Sequence, residues 1–169
     1  MRYSRPESKD GDSTLKIIFY LTIMTDRLKK LYFTLLIPSF IGFIFGYAVK
    51  YLYHSMNIPG EVMAFVSPLI FILSAIFALA LPIFYRTLFA HHRRHLSGIV
   101  PVELYIFERN LIGMAMVTPY LAMVAYLIGL PRFYLAGTLL LALYAVYYYY
   151  PSKKRITFEE RIFRADRRR

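Results

Sequence analysis

The chain has 169 residues, a mass of 19.9 kDa and a mean hydropathy of +0.46. It is 58% hydrophobic, against roughly 45–50% in an ordinary soluble domain, and its 21 Lys plus Arg outnumber 10 Asp plus Glu for a net charge of +11. So apolar a chain has too little polar surface to act as a soluble nucleic-acid binder. The absence of cysteine excludes a disulfide framework, a thiolate metal site and a Cys nucleophile.

From the N-terminus, residues 1–14 are polar and contain Pro, Gly and Ser, the composition of a flexible tail. Residues 15–25 form an apolar run too short to span a bilayer. Two readings of it stand: a juxtamembrane helix lying in the interface, or a short strand for a partner. Acidic residues precede it and no small-residue cleavage site follows, so it is not a signal peptide. A third reading takes Met24 as the natural start, because Met24 to Lys30 has the look of a cytoplasmic lead-in to a first span.

A spanning helix needs about 20 apolar residues to cross roughly 30 Å of hydrocarbon. Residues 31–49, 62–85, 111–130 and 133–150 meet that test. Pro131 and Arg132 separate the last two, which calls for a tight antiparallel hairpin. Pro38, Pro68, Pro82 and Pro119 lie inside these spans and predict kinks that a lipid environment tolerates. The cations are distributed unevenly: seven precede the first span, four lie in or beside the middle loop, and eight occupy the tail, leaving Lys50 and Arg132 on the other side. Lys and Arg are retained in short cytoplasmic segments, so both termini are expected in the cytoplasm. Tyr47, Tyr51 and Tyr53, and Tyr147 to Tyr150, then fall at span ends as interfacial anchors.

Helices in lipid associate through close approach of small residues. Ser39, Gly42 and Gly46 form such a stripe on the first span, and Ala122 and Ala125 belong to one on the third. Glu103, Glu108, Arg109 and Asn110 lead into the third span. They are expected to set its depth or to contact headgroups and loop arginines, in preference to forming a buried ion pair. After Pro151, Thr157 and Glu160 have capping-box spacing. They predict an amphipathic helix with Phe158, Ile162 and Phe163 on its apolar side and Arg161 and Arg164 beside them, resting on an anionic leaflet or docking on a partner.

Chemistry is sparse. His91 and His95 have the i, i+4 spacing of a metal-binding pair, with Arg93 and Arg94 set against a cation between them. Haem ligation would need His inside the spans, and none is there. No G-x-S-x-G motif occurs, and an embedded acidic residue of the kind that marks a proton pathway is not expected. The sequence therefore describes an all-α polytopic membrane protein: four transmembrane helices in an antiparallel bundle, N-in and C-in, with a short cytoplasmic C-terminal helix. No cofactor and no nucleic acid is implied. The expected partners are an anionic leaflet and either partner subunits or further copies of the chain. The expected location is an inner (cytoplasmic) or organellar inner membrane. The leading role is a non-catalytic subunit that scaffolds or assembles a larger complex. A small oligomeric transport component for a neutral solute, and a membrane enzyme with a His-loop metal site, are the alternatives.

Overall fold

A computed structural model describes residues 9–53, 59–92, 101–152, 154–156 and 158 of the chain, with no strand among them. Six helices account for nearly all of it: α1 (Lys9–Tyr53), α2 (Gly60–Ala75), α3 (Leu81–His92), α4 (Pro101–Ala115), α5 (Val117–Ile128) and α6 (Arg132–Tyr148). A π-helical turn, Ile76–Ala80, joins α2 to α3, and Met116 alone separates α4 from α5. Three continuous stretches are long and apolar enough to cross a membrane: Thr22–Leu52, Gly60–His92 and Val102–Ile128. Helix α6 is also apolar but has 17 residues, about 26 Å at the α-helical rise.

Helix α1 runs without interruption through the composition boundaries at residues 14 and 30. Asp26, Arg27, Lys29 and Lys30 do not end it, because a buried stripe of Met24, Leu28, Tyr32, Ser39 and Gly46 repeats at helical spacing and the charges fall off that stripe. The other faces of α1 expose large apolar side chains such as Ile37, Phe40, Ile44 and Phe45. That is the pattern of a helix surrounded by lipid, whose solvent is itself apolar.

The column made by α4 and α5 is central: α5 packs on α1, α2 and α6, and α4 packs on α1, α3 and the π-helical turn. Gly42 lies against Met123 and Gly46 against Leu127, so α1 and α5 run in the same direction. Phe71 lies against Gly137, and the Tyr149 hydroxyl reaches Ala78, so α2 and α6 run together as well. Ile70 clusters with Ala125, whereas Ala78 clusters with Ala115, which sets α2 opposite to the central column. The turn from α5 to α6 is tight. Gly129 at φ +79° ends α5, with its amide donating to the carbonyls of Ala125 and Tyr126 at 3.2 Å and the Leu130 amide returning to Ala125 at 3.1 Å. Only a residue without Cβ takes that left-handed conformation cheaply.

The larger core gathers at the end of the molecule where Arg27, Lys29, Lys30, Arg86 and Arg155 lie, here called the basic end. It combines Leu28 and Tyr32 of α1 with Phe107, Leu111 and Ile112 of α4 and with Ile156 from beyond α6. A smaller cluster around Ile70, Ala125 and Leu130 fills the opposite end.

A Cβ built on Gly46 would sit 2.6 Å from Leu127 Cδ2, whereas nothing lies within 4 Å of one built on Gly113. Gly46→Leu should therefore overpack the α1–α5 contact at about 1–3 kcal/mol, lowering the midpoint of thermal unfolding in detergent by roughly 2–4 °C per kcal/mol. Gly113→Ala, in mid-helix, should be neutral or raise that midpoint. Equal midpoints for Gly46→Leu and wild type would show that the contact is loose.

Candidate functional site

Along α4 the buried positions are Leu104, Phe107, Glu108, Leu111, Ile112 and Ala115. This is an i, i+3, i+4, i+7 stripe, and Glu108 occupies its middle. The Glu108 side chain is 0% exposed and is met by Arg155, whose Nη2 donates to Oε2 at 3.1 Å and whose own side chain is 15% exposed. The chain brings Arg155 there by folding back after α6. Pro151 and Ile156 are fully buried, the Arg155 amide donates to Ser152 Oγ at 3.2 Å, and the Ile156 amide donates to the Ser152 carbonyl at 3.1 Å. Ser152 thus starts a helical turn in the manner of an N-cap, and that turn aims Arg155 at α4.

Arg155 does more than neutralise Glu108. Its Nη1 donates to the Tyr148 carbonyl at 3.2 Å, one of the carbonyls that a helix C-terminus leaves without an intrahelical donor, where a cation also suits the helix dipole. The guanidinium lies 5.3 Å from the Tyr149 ring centroid and 6.0 Å from that of Tyr148, within cation–π reach. Tyr32 of α1 donates to a second carbonyl at the same helix end, Val146 O, at 2.7 Å. Tyr149, 2% exposed, places its hydroxyl 3.4 Å from the Ala78 carbonyl. Pro82 stands four residues after Ala78 and has no N–H to give it. Tyr149 is therefore a core residue, while Tyr147 is 87% exposed as an interfacial anchor would be.

Aromatic stacking braces the other side of Glu108. The Phe107 ring stacks on Phe89 at 4.3 Å and on Tyr85 at 5.4 Å, and Asn110 Nδ2 donates to the Tyr85 hydroxyl at 3.1 Å. The reading of Glu108 as a depth marker at the headgroups is therefore corrected: it is a buried ion pair. The signal was present in the sequence as a carboxylate at the centre of an apolar helical stripe, which demands a cation. Which of the many basic residues supplies it depends on the fold-back at Pro151.

The residues singled out from the sequence fall in several places. His91 and His92 are exposed at the end of α3, and His95 lies outside the described residues. Among the described residues no group of three or more His, Cys, Asp or Glu is arranged to hold a metal ion. Ser39, Ala122 and Ala125 are buried, and Gly42 and Gly46 lie against α5 within the same chain. Phe158 is exposed, while Arg161, Ile162, Phe163 and Arg164, with the capping-box Thr157 and Glu160, lie outside the described residues. As a chemical object the site is a buried polar latch: it fixes α6 and the following turn onto α4 and α1.

Removing Arg155 takes a charge-assisted hydrogen bond from a buried carboxylate, at a cost of about 1.5–3 kcal/mol. Arg155→Met should therefore destabilise the protein by that order in thermal unfolding. Glu108→Gln combined with Arg155→Met should recover most of the loss, because the buried carboxylate that Arg155 met is then gone as well. Additive losses in the double variant would show that the two side chains are uncoupled.

Comparison of the chain with protein-family models, with curated proteins and with solved structures gave no significant match.

Proposed function

We propose that this protein is a non-catalytic integral membrane subunit that scaffolds or assembles a larger membrane complex. In this reading four helices cross the bilayer as an antiparallel bundle with both termini in the cytoplasm of an inner membrane. The distribution of Lys and Arg supports the orientation, with 19 of 21 cations on one side of the four spans.

One observation carries the assembly role. Helix α1 has 45 residues, about 68 Å of helix against roughly 30 Å of hydrocarbon. If residues 31–50 fill the bilayer, α1 continues about 33 Å beyond it on the basic side. Its Met24 and Leu28 rest against α4, with Leu104 and Phe107 in the same core, but α4 begins only at Pro101. The first turns of α1, which include Leu15, Ile17, Ile18 and Phe19, reach past that start. A helix that continues beyond the bilayer suits docking in the groove of a partner subunit.

The test is co-purification in mild detergent from the native membrane. A stoichiometric partner that is lost on deletion of residues 1–20, with thermal stability retained, is the expected result. A metal-free monomer that purifies alone would overturn the reading, a homo-oligomer would favour a transport component, and bound metal would favour the His-loop enzyme. Topology can be tested separately because the chain has no cysteine of its own. In right-side-out vesicles a membrane-impermeant maleimide should label Asn57→Cys and leave Ser97→Cys unlabelled, and the reverse pattern would invert the orientation.

A further inference from the structure

We propose that the crevice between α1 and α4 at the basic end is a binding site for the phosphate headgroup of an anionic phospholipid. The crevice is lined by Ile23, Met24 and Arg27 of α1 and Tyr105 of α4 and has a volume of about 280 Å³. That is near the lower end of small-ligand sites, room for a headgroup and little more. Its floor is apolar, because Met24 is buried, while Arg27 is exposed at its rim. The Tyr105 ring is half-buried, and a phenol there offers a hydroxyl donor beside the guanidinium. Arg109, one turn along α4 from Tyr105, and Lys30, one turn along α1 from Arg27, are exposed and add cations on both walls. Asp26 precedes Arg27, so it stands about 100° round the helix from it.

Depth identifies the occupant. With the hydrocarbon edge at Leu31, Arg27 lies about 6 Å and Ile23 about 12 Å further out along the α1 axis. Headgroup layers add roughly 5–7 Å to each face of a bilayer. Arg27 is then level with lipid phosphates, while Met24, about 10 Å beyond the same edge, places the apolar floor outward of the phosphate, where the rest of the headgroup would lie. A fixed guanidinium at that depth pairs with phosphate in bidentate geometry, and basic pockets between transmembrane helices on the cytoplasmic side select anionic headgroups. This site rests on the proposed membrane orientation and is independent of any partner subunit.

The full chain, reconstituted in nanodiscs of phosphatidylcholine doped with phosphatidylglycerol and transferred to detergent, can be weighed with its bound lipids by native mass spectrometry. Wild type should retain phosphatidylglycerol in preference to phosphatidylcholine. Arg27→Gln should reduce that retention at least five-fold, Tyr105→Phe should reduce it less, and Arg132→Gln at the opposite end should leave it unchanged. Millimolar inorganic phosphate should not displace the lipid. Equal retention by wild type and Arg27→Gln, equal retention of the two lipids, or displacement by free phosphate would each overturn the proposal. The unfolding midpoint of Arg27→Gln should match wild type. If it falls, Arg27→Lys is compared instead, and it should keep more than half of the wild-type retention. Maleimide labelling of the cysteine variants in vesicles and partner recovery from the native membrane report separately on the orientation and the complex, so loss of either can be told from loss of the lipid site.

Discussion

A chain surrounded by hydrocarbon has no water to accept the hydrogen bonds that its backbone leaves open, so each break in a helix must be answered from within the protein. This constraint organises the molecule. Pro38, Pro68, Pro82 and Pro119 interrupt the ladders of four helical segments. At two of them a tyrosine from another helix supplies a donor close to the gap. Tyr120 donates to Leu35 O at 2.6 Å, one residue after the Thr34 carbonyl that Pro38 cannot serve. Tyr149 does the same at Ala78, which Pro82 cannot serve. The end of α6 is closed by Tyr32 and Arg155. Each bond ties one helix to another, so satisfying the backbone and fixing the tertiary arrangement are the same event.

The Glu108–Arg155 pair follows the same logic with charge in place of a dipole. Burying a carboxylate costs several kcal/mol unless a cation with good geometry meets it, and Arg155 meets it while capping Tyr148 and lying against two aromatic rings. Such a pair adds less net stability than an apolar replacement of similar shape would. What it adds is a requirement that residues 151–156 return to one place on α4. That requirement fixes the basic end beside the crevice between α1 and α4. The two proposed roles, partner assembly and lipid recognition, use adjacent surfaces of one fixed structure.

The helices were legible in the sequence because their signals are local. Apolar length marked the spans, Pro131 and Arg132 marked the hairpin, and the spacing of Ser39, Gly42 and Gly46 marked a close-packed face. The continuity of α1 through residues 14–30 was not, because composition separates polar from apolar stretches whereas a helix reads only whether its buried stripe keeps its period. Tyr149 was unreadable as a core residue: four consecutive tyrosines look alike until α6 has a direction and α3 a missing N–H. Glu108 stood in plain view on an apolar stripe, yet its partner lies 47 residues away and is one of eight cations in the tail. Non-local pairing of this kind is set by the fold-back at Pro151, which no short-range pattern encodes.

The central claim is that tyrosine hydroxyls bonded to backbone carbonyls beside the proline breaks hold one helix to another, and Tyr120→Phe tests it most directly because the change removes one oxygen and keeps the ring. Its thermal unfolding can be compared with that of Tyr47→Phe, where the ring is exposed. Loss of such a hydrogen bond should cost about 0.5–1.5 kcal/mol, so Tyr120→Phe should unfold a few degrees below wild type while Tyr47→Phe matches it. Equal midpoints for both variants and wild type would contradict the claim.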